Sequence, residues 1–263
     1  MAAFRAHPSA IVDPQAVIGA GAELGPNTIV EAGVTVGAGT RLLAGTVLQT
    51  GTTVGADCVL GPYAVLGSLP MDAEFKGEES FVTIGDRVQI RDFATVHRAT
   101  GAGAVTRVGD GSQIMTYVHV SHNAQVGNSV ILTSGSQLGG HSVVGDRAVL
   151  GAGASLHQFV RVGQLAMIGA MSGLNRDALP FSLVHGVFGE HYGLNRVGLK
   201  RNGITGERYG AIERAYKALR RGDRQLFAEL AAAADDVAAI NEFMESSRRG
   251  ISAIRGARGA SRG

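Results

Sequence analysis

The chain has 263 residues, including 39 glycines and no tryptophan, and its formal net charge is +2 at pH 7. This length holds one large domain and a smaller second one, and abundant glycine without a Gly-X-Y period excludes a collagen. The single cysteine, Cys58, excludes an intramolecular disulfide, and the sequence has no run of about 20 apolar residues that would predict a membrane span.

A six-residue repeat begins at Ala10 and places an aliphatic residue at the third position of ten consecutive hexads. These positions are Val12, Ile18, Leu24, Val30, Val36, Leu42, Leu48, Val54, Leu60 and Leu66. A helix would show a period of 3.6, and an ordinary amphipathic sheet would show long period-two runs. A period of six instead predicts short strands joined by tight corners, stacked so that the aliphatic residues form continuous internal ladders.

The repeat is interrupted twice, which predicts extruded loops at about 67–80 and 99–105. It stops after Pro180, where helical patterns follow. We predict helices over 206–221, 223–235 and 236–247, and a frayed tail from Gly250. The fold class is therefore mainly β, with a β-helix over 1–186 and a small α-helical domain over 187–263.

Histidines concentrate in one part of the repeat. If three hexads make one coil, residues 18 apart stack, so His122 lies under Gly140 and then Gln158. The same arithmetic places His141 over Asn123 and His157 over Gly139. We expect His119, His122, His141 and His157 to form one patch. Such a patch could ligate a metal or supply a general base near neutral pH.

The residue types in and around this patch favour some reaction mechanisms over others. No catalytic serine stands out and Cys58 is expected to be buried, so covalent catalysis is disfavoured. A substrate hydroxyl or amine would then attack directly, with His122 removing its proton. The backbone N–H of Gly140 would stabilise the oxyanion of the tetrahedral intermediate.

Three segments carry a resemblance to a known family. They are IGDRVQIRDFATVHRAT (84–100), VGNSVILTSGSQLGGHSVVGD (126–146) and LHQFVRVG (156–163), and two downstream stretches, GLKRNG (198–203) and GAIERAYKALRRG (210–222), match as well. Together with the hexads they resemble the hexapeptide-repeat transferases, whose fold is a left-handed parallel β-helix. Within these the chain is most similar to the O-acyltransferases that begin lipid A biosynthesis. The resemblance implies transfer of a (3-hydroxy)fatty acyl chain from acyl carrier protein to the 3-hydroxyl of UDP-N-acetylglucosamine, by a cytoplasmic homotrimer without a cofactor, a metal or a nucleic-acid partner.

The resemblance also implies roles for particular residues. His122 matches the general base, Gly140 the oxyanion donor, and Ala170 the position that limits acyl-chain length. The positions that match substrate-binding residues are Asp72, His119, His141, His157, Gln158, Asn195 and Arg201. Departures from the family pattern occur at Glu74, Asn123, Val197 and Asn202. They bear on the identity of the acceptor more than on the type of reaction.

The segment 196–263 contains 14 Lys/Arg against 8 Asp/Glu, whereas the rest of the chain is net acidic. An acidic acyl carrier protein would fit such a surface, although a solvated helix face would show the same composition. The candidate docking residues are Lys200, Arg201, Arg208, Arg214, Lys217, Arg220 and Arg221.

Three alternatives stay open from the sequence. The first is an N-acyltransferase acting on an amino-sugar nucleotide. The second is a β-helical carbonic anhydrase with zinc held by three histidines. The third is a trimeric scaffold without catalytic activity.

Overall fold

The computed structural model describes residues 4–257, which form 28 short strands and four helices. The strands of the repeat's first half are β1 (Arg5–Ala6), β2 (Ile11–Val12), β3 (Val17–Ile18), β4 (Glu23–Leu24), β5 (Ile29–Val30), β6 (Thr35–Val36), β7 (Arg41–Leu42), β8 (Val47–Leu48), β9 (Thr52–Val54), β10 (Val59–Leu60), β11 (Val65–Ser68), β12 (Phe81–Ile84), β13 (Gln89–Ile90) and β14 (Thr95–His97). Those that follow are β15 (Val105–Val108), β16 (Gln113–Ile114), β17 (His119–Val120), β18 (Gln125–Val126), β19 (Ile131–Leu132), β20 (Gln137–Leu138), β21 (Val143–Val144), β22 (Val149–Leu150), β23 (Ser155–Leu156), β24 (Arg161–Val162), β25 (Met167–Ile168), β26 (Gly173–Leu174), β27 (Ser182–His185) and β28 (Glu190–Leu194). The helices are α1 (Arg196–Arg201), α2 (Gly206–Arg221), α3 (Arg224–Ala233) and α4 (Asp235–Glu245).

From β1 to β26, strands three positions apart in the chain pair in parallel, which produces three sheets of 11, 9 and 8 strands. The longest sheet ends differently, with β27 paired to β25 in parallel and β28 paired to β27 in antiparallel fashion. In the regular coils a residue pairs with its equivalent three hexads later, as Ile114 does with Leu132 and Leu132 with Leu150. This arrangement confirms the predicted parallel β-helix. The aliphatic third positions point inward, and Leu60, Ile90, Ile114, Leu132 and Leu150 are fully buried.

The register changes where the two loops leave the repeat. Leu66 pairs with Val96, and Val96 pairs with Val120, so partners across both interruptions are further apart in the chain than those in the regular coils. The extruded segments lie between β11 and β12 and between β14 and β15. They contact each other, because Glu78 Oε1 accepts a hydrogen bond from the N–H of Gly101 (2.7 Å) and Glu79 O accepts one from Gly103 (2.9 Å).

The helical region follows an antiparallel pair, β27 with β28, at the end of the longest sheet. Helices α2, α3 and α4 correspond to the predicted helices, with small differences at their ends. The short helix α1 was not predicted. It begins where the Asn195 side chain accepts a hydrogen bond from the N–H of Gly198, which satisfies one of the free donors of its first turn.

The prediction of a frayed tail is wrong for residues 250–257. Ile251 forms a bridge with Asp177, and Ile254 forms one with His191, so this segment packs back onto the end of the β-helix. Residues 258–263 lie outside the described part of the chain. Among residues 4–257, every helix is too short or too polar to cross a membrane.

Candidate active site

His122 lies at a corner of the β-helix, directly after β17, and only 8% of the residue is exposed. The next residue, Asn123, turns the corner with φ of +60°, a conformation that asparagine tolerates better than most residues. Gly140 lies on the following coil. A methyl group at Gly140 would overlap the His122 ring at Nε2 and Cε1. The ring can therefore occupy this place only because residue 140 has no side chain.

The hydrogen bonds of His122 determine which ring nitrogen is free. Nδ1 lies 2.9 Å from Asn123 Oδ1 and 3.6 Å from Asp72 Oδ2, and both oxygens are acceptors. Nδ1 therefore carries the proton, and Nε2, next to Gly140, keeps its lone pair. A neutral imidazole in this tautomer can accept a proton from a substrate hydroxyl at Nε2.

Gly140 also offers a hydrogen-bond donor. Within residues 4–257 its backbone N–H has no hydrogen-bond partner. The repeat leaves the same N–H free at equivalent corners, including those of His122 and Gln158. What distinguishes Gly140 is its position against His122 Nε2, which places a proton acceptor and a free N–H donor side by side.

Three further imidazoles surround His122. His141 meets it edge to face at 5.3 Å between ring centroids, and His119 meets His97 in the same way at 4.9 Å. Burial lowers the pKa of His119 to about 4, and the nearby His97 and His122 contribute to this lowering. Burial likewise lowers the pKa values of His97 and His141, with His122 contributing to both. These neighbours are therefore neutral at pH 7.

Asp72 reaches the site from the first extruded loop. Its Oδ1 accepts a hydrogen bond from the N–H of Glu74 at 3.1 Å. This bond lowers the pKa of the Asp72 carboxyl below its ordinary value, and the imidazoles of His122 and His141 lower it further. Asp72 is therefore an anion facing the protonated nitrogen of His122.

The structure brings together four of the predicted residues: His122, Gly140, His141 and Asp72. His119 lies on the same coil as His122, with its Nδ1 2.8 Å from the Thr95 hydroxyl and its ring against His97. His97 was not predicted, because the second extruded loop lies between His97 and His119 and lengthens the stacking interval there. The longer interval that pairs Thr95 with His119 would have revealed it.

The other predicted residues make no hydrogen bond or ring contact with His122 among residues 4–257. His157 and Gln158 are exposed on the next coil, and the Nδ1 of His157 lies 3.2 Å from Gln158 O. Ala170 is exposed at a different corner, and Arg201 is exposed at the end of α1. The Asn195 side chain is occupied, since it caps α1 and donates to Leu165 O at 2.9 Å.

The site does not present an obvious metal centre. Among the described residues, Asp72, His122 and His141 have polar atoms within 4.8 Å of one another. However, the nitrogen of His122 that faces Asp72 also donates its proton to Asn123, so it offers no lone pair to a cation. The arrangement suits proton transfer better than metal ligation.

Comparison with known proteins gives consistent results. Residues 177–252 match the family model described as UDP-N-acetylglucosamine O-acyltransferase, domain 2. An acyl-(acyl-carrier-protein)–UDP-N-acetylglucosamine O-acyltransferase from Burkholderia vietnamiensis is 45% identical over 258 residues, covering 94% of this chain and 98% of the relative. The one from Thermodesulfovibrio yellowstonii is 38% identical over 93% of this chain and 98% of its own length. The crystal structure of the Francisella novicida UDP-N-acetylglucosamine acyltransferase superposes with a TM-score of 0.91 at 31% identity, covering 98% of this chain and all of that one.

Proposed function

The chain belongs to the family of acyl-carrier-protein-dependent UDP-N-acetylglucosamine O-acyltransferases, and we propose that it performs this transfer with His122 as general base and Gly140 as oxyanion donor. Its activity is that of the family, the first step of lipid A biosynthesis. The alternatives of a zinc enzyme and of a non-catalytic scaffold are accordingly set aside.

The reaction follows from the geometry around His122. Nε2 takes the proton of the sugar 3-hydroxyl as that oxygen attacks the thioester carbonyl of the acyl carrier protein. The tetrahedral oxyanion accepts a hydrogen bond from the N–H of Gly140. When the intermediate collapses, the carbon–sulfur bond breaks and the departing thiolate recovers the proton from His122. The observation that carries this mechanism is that Nε2 of His122 lies against Gly140 while Nδ1 faces two acceptor oxygens.

The test is acyl transfer from a panel of acyl carrier protein thioesters to UDP-N-acetylglucosamine. His122→Ala is expected to lower kcat by about 10²–10⁴. Gly140→Ala displaces the ring of His122 and is expected to lower kcat by roughly 10² or more. His7→Ala, an exposed histidine at the other end of the β-helix, is the matched control and is expected to leave turnover unchanged. Turnover that survives in His122→Ala would exclude His122 as the base.

Two kinds of partner complete the proposal. We propose a homotrimer whose clefts lie between subunits, which would explain why His157, Ala170 and Arg201 lie apart from His122 in one chain. An exposed aromatic ladder supports a contact between copies. Tyr63, Phe93 and Tyr117 stack along one corner with centroids 5.4 and 5.2 Å apart, although each is about half exposed. A cytoplasmic location remains part of this proposal.

The acyl carrier protein is proposed to dock on the basic helical region. Two of the predicted residues are already paired within the chain, since Arg208 binds Asp236 in a bidentate manner and Lys217 binds Glu213 at 2.8 Å. The remaining candidates are exposed and make no ion pair with another described residue. They are Lys200, Arg201, Arg214, Arg220 and Arg221.

The nucleotide and the acyl chain are assigned by the resemblance alone. We propose that Asp72, His119, His141, His157, Gln158, Asn195 and Arg201 contact the substrates across the subunit interface. Ala170 would then shorten the accepted acyl chain, because its methyl group occupies space at the end of the cleft. The thioester panel tests this, since Ala170→Gly is expected to shift the preference toward longer chains.

A further inference from the structure

The side chain of Asn123 is held in one orientation by the second extruded loop. Its Oδ1 accepts a hydrogen bond from the N–H of Thr100 at 2.9 Å, and its Nδ2 donates to Thr100 O at the same distance. Exchanging the amide oxygen and nitrogen would place donor against donor and acceptor against acceptor. The oxygen of Asn123 therefore faces Nδ1 of His122, and this contact fixes the protonated nitrogen of the base.

An amide cannot supply the negative charge that stabilises a histidine once it has accepted a proton. That charge comes from Asp72, whose Oδ2 lies 3.6 Å from the same Nδ1. Asp72 belongs to the first extruded loop, whereas Thr100 belongs to the second. Each loop therefore contributes a different contact to the Nδ1 side of His122.

The two loops are joined near these contacts. The Glu78 carboxylate accepts from the N–H of Gly101, the residue after Thr100, and this bond is the main reason that the pKa of Glu78 is lowered. Its neighbour Glu79 contributes its backbone carbonyl, which accepts from the N–H of Gly103. Glu78 thus links the loop that carries Asp72 to the loop that orients Asn123.

We propose that His122 is controlled by two separate positioning residues, with Asn123 fixing its tautomer and Asp72 balancing its charge, and that Glu78 holds the two loops in register. This inference rests on the proposed function, in which His122 is the general base. A single carboxylate beside Nδ1 would combine both roles. Here they are divided between a neutral amide and a carboxylate from a different loop.

The other titratable groups around His122 do not replace this arrangement. His141 faces it from the following coil, His119 from its own coil, and His97 from the preceding one. All three have lowered pKa values and stay neutral at pH 7. Glu74 lies close enough to His141 to oppose the lowering of its pKa. Asp72 is therefore the charged group that faces the base.

The experiment compares pH profiles of kcat and kcat/KM for four variants: Asn123→Gly, Asp72→Asn, Asn123→Asp, and the double variant Asp72→Asn with Asn123→Asp. Glycine is used at 123 because φ there is positive, so that deleting the side chain adds no backbone strain. Asn123→Gly is expected to lower kcat about tenfold without moving the acid limb. Asp72→Asn is expected to lower kcat about tenfold and to move the acid limb to lower pH, because the charge that favours the protonated ring is lost.

The double variant tests whether a carboxylate at position 123 can replace that of Asp72. Placing a carboxylate at 123 when Asp72 has been neutralised is expected to restore kcat and to return the acid limb toward its native pH. Asn123→Asp alone is expected to fold, because aspartate also tolerates a positive φ, and to move the acid limb upward. A different outcome would overturn the charge role of Asp72. In that case Asp72→Asn raises only the KM for UDP-N-acetylglucosamine, Asn123→Asp does not rescue it, and Asp72 is a sugar contact alone.

Further outcomes test the roles of Asn123 and Glu78 separately. Native kcat in Asn123→Gly would overturn its role in fixing the tautomer. Glu78→Ala is expected to lower kcat several-fold, whereas the matched control Glu79→Ala is expected to leave it unchanged, and equal effects would overturn the link between the loops. His122→Ala is measured alongside, because turnover surviving there would refute the general base itself rather than its positioning.

Discussion

The β-helix and the helical region are held together by different kinds of contact. In the β-helix each inward-facing residue has the same kind of neighbours on the coils above and below it, as Leu132 has Ile114 and Leu150. In the helical region the contacts to the β-helix are unique. Asp177 and His191 are buried polar residues, each of which binds several partners. We therefore expect the β-helix to respond to mutation in the same way at many positions, and the helical region to depend on a few.

The largest expected effect is in the internal ladder. Leu132→Ala and Leu150→Ala should each lower the free energy of unfolding by about 2–5 kcal/mol, because both side chains are fully buried and leave similar cavities. Urea unfolding measures the loss. The comparison predicts nearly equal values for the two variants. A large difference between them would show that the coils are not energetically equivalent. Thr53→Ala, on the outer face of β9, is the control and should cost far less.

The second prediction concerns pH and His191. Its Nε2 accepts from the N–H of Leu179 at 2.9 Å, and its Nδ1 donates to Ser252 O at 3.0 Å, so the fold needs the neutral ring. Burial lowers the pKa of His191 to about 4. The unfolded chain protonates near pH 6.5, so the stabilisation is complete above that pH and is lost as the pH falls toward 4. The loss amounts to about 3 kcal/mol.

Hydrogen exchange at pH 7 and pH 5 locates this loss. We expect protection to fall first in residues 177–182 and 250–257, which His191 joins, while the coils around Leu132 keep theirs. In His191→Gln the pH dependence should be smaller than in the native protein. His119→Gln is the comparison in the β-helix, and its effect should be weaker because His119 is partly exposed and screened by water. If protection from exchange falls equally in the β-helix and in the helical region, the helical region does not unfold as a separate unit.

A smaller effect is expected at Asp177. Its Oδ1 accepts from the N–H of Arg161 at 2.8 Å, and its Oδ2 accepts from the Ser247 hydroxyl at 2.7 Å. Asp177→Ala leaves these donors unsatisfied and should cost about 1–3 kcal/mol. Asp177→Asn keeps the acceptor for Arg161 and should cost less. Thermal unfolding of the two variants measures the difference, and an equal cost would assign the effect to charge rather than to hydrogen bonding.

The smallest expected effect is that of Tyr216→Phe. The buried Tyr216 hydroxyl donates to Pro180 O at 2.7 Å and attaches α2 to the last coil. Removing it should cost about 1 kcal/mol. Tyr209→Phe on the same helix is the control, because Tyr209 is only partly buried. Urea midpoints compare the two variants, and a native midpoint in Tyr216→Phe would show that the attachment of α2 does not depend on this bond.

The sequence predicted the β-helix well because a repeat makes distant contacts calculable. Once three hexads make a coil, moving one coil along from His122 gives Gly140, and the structure places these two residues in contact. The same rule failed for the coil before His119, since the second extruded loop lengthens the interval between these two coils. It therefore missed His97, which lies beside His119. The rule also stacks His157 on Gly139, and the His157 backbone does lie against Gly139, with the His157 ring exposed.

The helical region was less predictable. The apolar stripe of α2 predicted both of its ends correctly, but α1 has only six residues and depends on the Asn195 cap. The tail from Gly250 to Ala257 looked frayed because it is short, contains two glycines and shows neither the six-residue repeat nor a helical period. It is ordered by single contacts with Asp177 and His191, which no local pattern reveals.

The sequence by itself determined the coil, the internal ladders and the pairing of His122 with Gly140, because all three follow from a period that repeats along the chain. Only the tertiary structure decided which nitrogen of His122 is free. That choice depends on Asn123 being clamped by Thr100 and on Asp72 facing Nδ1 from another loop. Loops outside the repeat have no register to extrapolate, and their positions are set by individual hydrogen bonds such as the one from Gly101 to Glu78.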